Sequence, residues 1–300
     1  MHYAEAGSGR LVVLLHGFPE SWYSWRHQLP ALGGAGFHAV APDMRGYGQT
    51  DCPKPVEAYD IFQLTGDIVG LVNALGEGPA VIVGHDWGAH IAPYAALLRP
   101  DLFRAVVLLS VPYVPRRLVT QTEWERTKYP GRVHYQAVLR SPAAEQIYQA
   151  DVRSSLLRLF YCLSGEADVK ERFNLPGTPG AEQAGPPKLP EWITEQDLDF
   201  FESEFTRTGF TGALNYYRNL DRNWAMTPFL DGAKISQDAF FIAGEKDAVV
   251  AMYAEEFKAL EANVPNLRGR VLLPGAGHWT QQERPDEVNR LLIEFLRRLI

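Results

Sequence analysis

Three polar side chains in this 300-residue sequence stand where they could act together on one substrate. Asp86, Asp247 and His278 each come shortly after an apolar run of the kind that forms a buried strand. An ionised carboxylate attacks carbon directly, and a histidine that a second carboxylate orients can activate water. Because the carboxyl ends of parallel strands meet at one edge of a sheet, one site could gather all three residues.

The turn that carries Asp86 has a characteristic spacing of small residues. Gly84 and Gly88 flank Asp86 two positions away on each side, which is the pattern of a sharp strand-to-helix turn that lifts one side chain above a sheet. The lifted residue is more usually a serine, which attacks acyl carbon after a base removes its proton. An ionised aspartate needs no such activation and can attack saturated carbon, forming an alkyl ester. The carboxylate therefore predicts an epoxide or an alkyl halide as the electrophile.

The second acid and the histidine follow the nucleophile in the chain order of α/β-hydrolase triads. His278, oriented by Asp247, could deprotonate the water that hydrolyses the ester. Another place for the acid is the segment Ser110–Pro112, which contains no carboxylate. Asp247 is therefore the candidate acid, and Glu245 is its competitor.

The segment His16–Pro19 ends the first predicted core strand. In this type of fold the loop at that position supplies one backbone N–H to an oxyanion hole, and the residue after the nucleophile supplies the other. Phe18 and Trp87 are thus the candidate donors. The segment would also suit a simple strand-exit turn, but its pairing with the Asp86 turn favours the functional interpretation.

The elements that must position these residues alternate between strands and helices. Apolar residues at helical spacing predict helices over Trp22–Leu32, over Ile61–Leu75 and from the Asp86 turn to about Leu98. The alternation predicts an α/β class, with a mostly parallel, doubly wound central sheet and helices on both faces. The apolar runs that predict its strands are Leu11–Leu15, His38–Ala41, Ala80–Val83, Ala105–Leu109, Ala239–Gly244 and Arg270–Leu273.

A long helix-prone stretch interrupts this alternation. We expect residues 1–111 and 226–300 to form the core domain and residues 112–225 to form a helical cap, with a Pro- and Gly-rich loop over 175–190. Such an insertion usually sits over the carboxyl ends of the strands, where ligands bind. The helices predicted from residue 112 onwards are Gln146–Leu163, Glu195–Phe205, Gly212–Leu220, Met252–Ala262 and one from Pro285 to the C-terminus.

Composition excludes several classes of partner. Hydrophobic residues make up 46% of the chain and charged residues 22%, as in soluble globular proteins. The net charge of −7 argues against a nucleic acid or an anionic membrane surface as the main partner. Cys52 and Cys162 do not suit a disulfide framework or a metal site. With no visible signal peptide or transmembrane run, the sequence predicts a cytoplasmic protein.

With these residues in place, the chain resembles the soluble (cytosolic-type) epoxide hydrolases of the α/β-hydrolase superfamily. The turn around Asp86 is shared with dehalogenases, whereas the segments Phe18–Trp22 and Tyr217–Trp224 are more specific. The matching stretches span almost the whole chain: His16–Arg26, Asp43–Gly48, Gly84–Ala89, Gly209–Trp224 and Gly277–Glu283.

The resemblance implies that two cap tyrosines hold the epoxide oxygen. Tyr217, beside the arginine of the Tyr-Arg-Asn-Leu-Asp-Arg-Asn-Trp run, is our first candidate, with Tyr216 as the fallback. Tyr135, in the sequence His134-Tyr135-Gln136, is the second. A tyrosine hydroxyl, with a pKa near 10, is a suitable proton donor for a nascent alkoxide.

The resemblance also implies supporting residues and partners. Glu20 and His85 would belong to the hydrogen-bonded route of the hydrolytic water. The alternative interpretation is that Glu20 is only a charge at a helix N-terminus and that His85 is only a turn residue. A small-molecule epoxide is the expected partner of a monomer or homodimer, and no metal or organic cofactor is required. Relatives usually carry one more edge strand before the equivalent of Tyr3–Gly7, which puts the first strand in doubt.

Two other functions fit parts of the sequence. A haloalkane or haloacid dehalogenase would share Asp86 and His278. Haloalkane dehalogenases, however, tend to have Asn at the position of Phe18, and haloacetate dehalogenases tend to have Arg at the position of Trp87. A non-catalytic ligand-binding protein on the same scaffold could retain the triad, but the paired tyrosines argue against it.

Overall fold

The computed structural model describes residues 1–181, 185 and 187–299, and it is built around one seven-stranded sheet. The spatial order of the strands is β1-β3-β2-β4-β5-β6-β7, with β1 antiparallel to β3 and every other pairing parallel. This is the mostly parallel sheet that the alternating pattern predicts. The strands are β1 Tyr3–Ala6, β2 Arg10–Leu15, β3 Phe37–Pro42, β4 Ala80–His85, β5 Phe103–Leu109, β6 Asp238–Gly244 and β7 Leu267–Leu273.

Helices connect the strands and fill the interval between β5 and β6. The α-helices are α1 Gln28–Gly34, α2 Ile61–Leu75, α3 Trp87–Leu98, α4 Gln121–Lys128, α5 Tyr135–Arg140, α6 Ala144–Ala150, α7 Val152–Leu163, α8 Glu195–Thr208, α9 Thr211–Arg218, α10 Leu220–Met226, α11 Ala248–Met252, α12 Ala254–Lys258, α13 Leu260–Asn263, α14 Thr280–Glu283 and α15 Pro285–Arg298. Short 3-10 helices cover Trp22–Trp25, Val56–Tyr59, Val169–Glu171 and Pro228–Leu230.

The central strands are apolar on both faces because each face packs against helices. In β2, Val12 and Leu14 belong to the cluster that includes residues of α1 and α15. Leu11, Val13 and Leu15 point the other way, into the cluster that includes residues of α2 and of the helical stretch between β5 and β6. Side chains alternate between the two faces of a strand, so a continuous apolar run is what a doubly covered strand requires.

The strand register brings several strand ends to one edge. Gly84 near the end of β4 pairs with Leu15 of β2 and with Leu108 of β5. Further along the sheet, Gly244 at the end of β6 pairs with Leu273 of β7. The loops that follow these strands are therefore neighbours at the carboxyl edge.

The structure corrects the predicted elements at four places. Tyr3–Ala6 forms an edge strand on β3, which the alternating pattern did not predict. The predicted helix Trp22–Leu32 is a 3-10 turn followed by α1, and the predicted helix Met252–Ala262 is three short helices, α11 to α13. The predicted helix Gln146–Leu163 divides at Asp151, whose side chain accepts the Ser154 N–H and begins α7, as a helix-capping aspartate does.

Residues 112–225 contain only helices and irregular segments in the part that the structure describes. Their side chains pack on the loops at the carboxyl edge of the sheet. The Phe18 ring, for example, lies 6.0 Å from the Tyr148 ring and 6.4 Å from the Phe210 ring. Within the predicted loop 175–190, residues 182–184 and 186 lie outside the described residues. None of the described helices combines the length and the apolar character needed to cross a membrane.

Candidate active site

Asp86 occupies a strained turn between β4 and α3. Its backbone lies at φ 52° and ψ −115°, a region that side-chain-bearing residues rarely adopt. The flanking glycines are required by close backbone contacts. A Cβ on Gly84 would lie 2.1 Å from the carbonyl oxygen of Gly88, and a Cβ on Gly88 would lie 2.1 Å from that of Leu15. The Gly-x-Asp-x-Gly spacing thus follows from the tightness of this turn.

The Asp86 carboxylate is held by one donor on each oxygen. The backbone N–H of Phe18 donates to Oδ1 at 2.9 Å, and His278 Nε2 lies 3.4 Å from Oδ2. Burial acts to raise the pKa of Asp86, but the hydrogen bond and the positive charge of His278 outweigh burial and lower that pKa to about 2. Asp86 is consequently ionised and ready to act as a nucleophile at neutral pH.

His278 stands between two carboxylates. Its Nδ1 lies 3.3 Å from Asp247 Oδ2, while the Val249 N–H donates to Asp247 Oδ1 at 2.8 Å and fixes that carboxylate. Burial lowers the pKa of His278, yet Asp247 and then Asp86 raise it to about 10. The competing acid, Glu245, is exposed and accepts the Gly275 N–H at 3.4 Å. The structure thus brings Asp247, and not Glu245, to the histidine.

The backbone of His278 is fixed as firmly as its ring. Its carbonyl oxygen accepts Ser110 Oγ at 2.7 Å and His85 Nε2 at 2.8 Å, and its N–H donates to the Leu163 carbonyl at 2.8 Å. Ser110 adopts a φ of 66° at the end of β5. From the sequence, the segment at Ser110 was relevant only as a possible position for the triad acid. The hydrogen bond by which Ser110 supports the backbone of His278 was not predicted.

Glu20 and His85 form a fully buried pair behind the site. Glu20 Oε2 accepts His85 Nδ1 at 2.7 Å and the Gly17 N–H at 2.9 Å, and its Oε1 accepts the side-chain amides of Gln281 and Gln282 at 3.0 and 3.2 Å. Burial acts to raise the pKa of Glu20, but the interactions with the adjacent His85 outweigh burial, and the pKa is lowered overall. Glu20 is therefore a carboxylate.

His85 joins Glu20 to the loop that carries His278. One of its ring nitrogens faces the Glu20 carboxylate and the other faces the carbonyl oxygen of His278. The His85 and His278 rings lie 4.8 Å apart, so the Glu20–His85 pair lies directly behind the Asp86–His278 pair.

Both predicted tyrosines reach the same small cavity as Asp86 and His278. The cavity has a volume of about 20 Å³, and its walls include Phe18, Tyr135 and Tyr217. Burial, with Asp86 nearby, raises the pKa of both tyrosines well above the usual value, so both hydroxyls are protonated. Tyr135 also accepts the Gln136 side-chain amide at 3.3 Å.

The structure separates Tyr217 from its fallback Tyr216. The Tyr217 ring lies 5.1 Å from the Trp87 ring and 5.7 Å from the Phe18 ring, at the cavity. Tyr216 instead donates its hydroxyl to the Arg45 carbonyl at 2.8 Å, away from the carboxylate. Trp87, as the first residue of α3, has a backbone N–H without an intrahelical partner.

A larger cavity lies beside Trp87. It measures about 110 Å³, and its lining includes Trp87, His90, Gln121 and Tyr253. His90 lies three residues after Trp87 on α3, which places both rings on one face of the helix, with their centroids 5.4 Å apart.

Comparisons with known proteins agree on one family. The family model of the alpha/beta hydrolase fold matches residues 10–285. The chain is 44% identical to epoxide hydrolase A of Mycobacterium tuberculosis, over 99% of this chain and 94% of that protein. It is 40% identical to epoxide hydrolase 3 of Siraitia grosvenorii, again over 99% and 94%.

Solved structures give the same result. An epoxide hydrolase from an endophytic Streptomyces superimposes with a TM-score of 0.94 at 46% identity, covering 99% of this chain and 91% of that one. Epoxide hydrolase A from Mycobacterium thermoresistibile superimposes with a TM-score of 0.91, also at 46% identity, over 98% and 94%. The chain therefore has the α/β-hydrolase fold and belongs to the epoxide hydrolases of that family.

Proposed function

We propose that this enzyme adds water to an epoxide and releases a vicinal diol through an alkyl ester on Asp86. The observation that carries this proposal is the cavity shared by the ionised Asp86, two protonated tyrosines and His278, which pairs with Asp247. A carboxylate nucleophile suits a saturated carbon, and hydroxyl donors suit a leaving oxygen that stays attached to the substrate.

In the first step Asp86 Oδ2 attacks one epoxide carbon. A carbon–oxygen bond to Asp86 forms while the ring carbon–oxygen bond breaks, and the released oxygen takes a proton from Tyr217 or Tyr135. Oδ1 is the oxygen that accepts the Phe18 N–H, so it becomes the carbonyl oxygen of the ester. The two tyrosines lower the barrier because they stabilise negative charge that develops only as the ring opens.

In the second step His278 removes a proton from water, and the hydroxide adds to the ester carbonyl carbon. The negative charge that develops on Oδ1 is stabilised by the N–H groups of Phe18 and Trp87. Collapse of the tetrahedral intermediate breaks the ester bond and expels the second diol oxygen, which takes a proton from the protonated His278. The proton that remains from the added hydroxide returns to the tyrosinate left by the first step, so that the tyrosine and the Asp86 carboxylate are both restored, the latter with one oxygen derived from water.

Glu20 and His85 support this second step. The ring of His85 contacts the His278 carbonyl at 2.8 Å and so holds the base in place. We place the route of the hydrolytic water along this pair. The chemistry needs no metal and no organic cofactor, because the nucleophile, base and acids are all side chains.

Residues 112–225 act as the cap, which supplies both tyrosines and closes the cavity above Asp86. The substrate is a small-molecule epoxide. On the grounds of the charge and the two unpaired cysteines we place the enzyme in the cytoplasm, as a monomer or homodimer.

The test is a single turnover of the His278→Gln variant with styrene oxide. We expect one epoxide-derived adduct on the peptide that contains Asp86, because the ester forms but is not hydrolysed. Asp86→Asn is the matched control and should carry no adduct. Absence of the adduct, or release of halide from a bromoalkane faster than diol formation by the wild-type enzyme, would contradict the proposal.

A further inference from the structure

A buried glutamate outside the triad holds the loop that carries His278. Both oxygens of Glu283, at the end of α14, accept backbone N–H groups and, among the described residues, no side-chain donor. Oε2 accepts Gly277 at 2.8 Å and Gly165 at 2.9 Å, and Oε1 accepts Trp279 at 3.0 Å. Gly277 and Trp279 are the two neighbours of His278 in the chain, so the carboxylate brackets the histidine from both sides.

The third donor, Gly165, belongs to a different part of the molecule. It lies just beyond the end of α7, within the cap, and it packs directly against the histidine loop. A Cβ on Gly277 would lie 2.3 Å from the Gly165 nitrogen, so the two backbones are in contact. Glu283 is thus hydrogen-bonded to the cap and to the histidine loop with the same oxygen.

Other hydrogen bonds reinforce this junction. The indole N–H of Trp279 donates to the Phe160 carbonyl at 2.9 Å. From the core, Lys246 Nζ donates to the Gly165 carbonyl at 3.0 Å. The end of α7 and the His278 loop therefore form one hydrogen-bonded unit, which we call the α7–histidine junction (residues 160–165 and 274–279).

Burial of this carboxylate is unfavourable in itself. Loss of hydration raises the pKa of Glu283 to about 7, even though three N–H groups act in the opposite direction. Among the described residues, no cation lies within ion-pair distance of it. A neutral side chain would be less costly to bury, so the effect of Glu283 is geometric: it holds together three backbone N–H groups that belong to two separate chain segments.

We propose that Glu283 is a positioning residue, which couples the cap to the orientation of His278 and is needed for hydrolysis of the alkyl ester but not for its formation. This inference rests on the proposed two-step reaction. Ester formation uses Asp86, Tyr135 and Tyr217, none of which Glu283 contacts. Hydrolysis uses His278, whose two chain neighbours it holds.

Slower hydrolysis of the ester and a loss of folded enzyme have different effects on kcat and KM. When only hydrolysis slows and becomes limiting, kcat and KM fall together and kcat/KM is unchanged. Loss of folded enzyme lowers kcat and kcat/KM together and leaves KM unchanged. Measurement of both kcat and KM therefore distinguishes a mispositioned His278 from a loss of folded enzyme.

The experiment is Glu283→Gln in the full-length enzyme, with styrene oxide as substrate. Either orientation of the new amide turns an NH₂ group towards a backbone N–H, so at least one bond of the junction is lost. We expect hydrolysis to slow by about 10- to 100-fold, as for small displacements of a catalytic group. Both kcat and KM should fall by similar factors, and rapid quench with intact-mass analysis should show accumulated alkyl enzyme. Glu294→Gln, the same change at a half-exposed position on α15, is the control and should behave as wild type.

Lys246→Met provides a second variant in case Glu283→Gln does not fold. It removes the bond to the Gly165 carbonyl and should shift kcat and KM in the same direction by a smaller factor. An unchanged KM with reduced kcat/KM in both variants would overturn the inference. If His278→Gln accumulates the adduct and Glu283→Gln does not, only the role of Glu283 fails. If neither accumulates it, the two-step reaction itself fails.

Discussion

The two oxygens of the Asp86 carboxylate have different neighbours, and this difference assigns their roles. Oδ1 accepts a backbone N–H from Phe18, whereas Oδ2 lies beside the His278 ring. A neutral ester on Oδ2 removes one of the two negative charges that hold the proton on His278. Formation of the intermediate therefore lowers the pKa of the base that must act next.

This change predicts different pH profiles for the two steps. Ester formation should be nearly independent of pH across the neutral range, because the pKa of Asp86 is lowered to about 2 and those of both tyrosines are raised. Hydrolysis needs neutral His278, so its rate should rise with pH by up to about tenfold per pH unit and level off below the pKa of about 10 of the free enzyme.

Stopped-flow tryptophan fluorescence in single turnovers can follow both phases. Asp247→Asn is the matched variant, since loss of that charge should shift the hydrolysis profile to lower pH. Hydrolysis that slows as the pH rises through the neutral range would contradict His278 as the base.

Breaking the buried Glu20–His85 pair should destabilise the protein much more than breaking an exposed glutamate–histidine pair. Glu20→Gln removes the carboxylate that faces His85 in a fully buried site, and we expect a loss of about 3–5 kcal/mol in the free energy of unfolding. The control is Glu5→Gln, which removes a 2.9 Å contact with His38 where the glutamate side chain is 51% exposed. Its cost should stay below about 1 kcal/mol.

Urea denaturation at neutral pH compares these two variants directly. The sign follows from the lowered pKa of Glu20: its contribution is present above the unfolded pKa and is lost as the pH falls through the folded one. The difference between the variants should therefore shrink in acid. Equal costs at neutral pH would show that burial does not increase the contribution of the Glu20–His85 pair to stability.

At the scale of elements, α9 places two consecutive tyrosines in different surroundings. Successive residues on a helix are about 100° apart, so Tyr217 reaches the cavity while Tyr216 reaches the loop of Arg45. The same helix thus contacts the Arg45 loop with one hydroxyl and presents the other tyrosine to the cavity.

Tyr217→Phe and Tyr216→Phe should separate these two roles. We expect Tyr217→Phe to lower kcat/KM for styrene oxide by about 100-fold, because a proton donor to the leaving oxygen is lost. Tyr216→Phe should cost about 1 kcal/mol of stability through its lost hydrogen bond, with kcat/KM nearly unchanged. Steady-state kinetics and urea denaturation of both variants provide the test, and an inverted pattern would assign the donor to Tyr216.

At the scale of the whole molecule, cap and sheet share one hydrophobic core. The buried cluster on one face of the sheet contains strand residues such as Val13 together with Leu159 and Phe210 from the cap. Phe210 stacks on Phe205 at 4.6 Å and lies 5.3 Å from Tyr148. Because these cap and strand residues belong to a single buried cluster, the cap and the core domain should unfold together.

Phe210→Ala tests this coupling. Its side chain is 1% exposed, and we expect its truncation to cost about 3–5 kcal/mol. Far-UV circular dichroism and tryptophan fluorescence should report one shared urea midpoint in the variant, as in the wild-type enzyme, but at a lower concentration. Two separate transitions would show that the cap unfolds by itself. Phe229→Ala, at a side chain that is 62% exposed, is the control and should change the midpoint little.

The sequence alone determined the elements whose signals are local. Apolar runs located the strands after the edge strand β1, and α2 begins and ends where its periodicity predicts. The two glycines around Asp86 identified the strained turn, because only that spacing relieves the backbone contacts there. Chain order then pointed to Asp247 and His278, which the structure brings together.

Only the tertiary structure decided which groups meet across distant elements. It directed Tyr216 to Arg45 and Tyr217 to the cavity, turned Glu245 outwards, and placed the His278 carbonyl against His85. A sequence pattern records which face of its own element is apolar. It does not record what that element packs against. Hydrogen bonds between residues that lie far apart in the sequence depend on that packing.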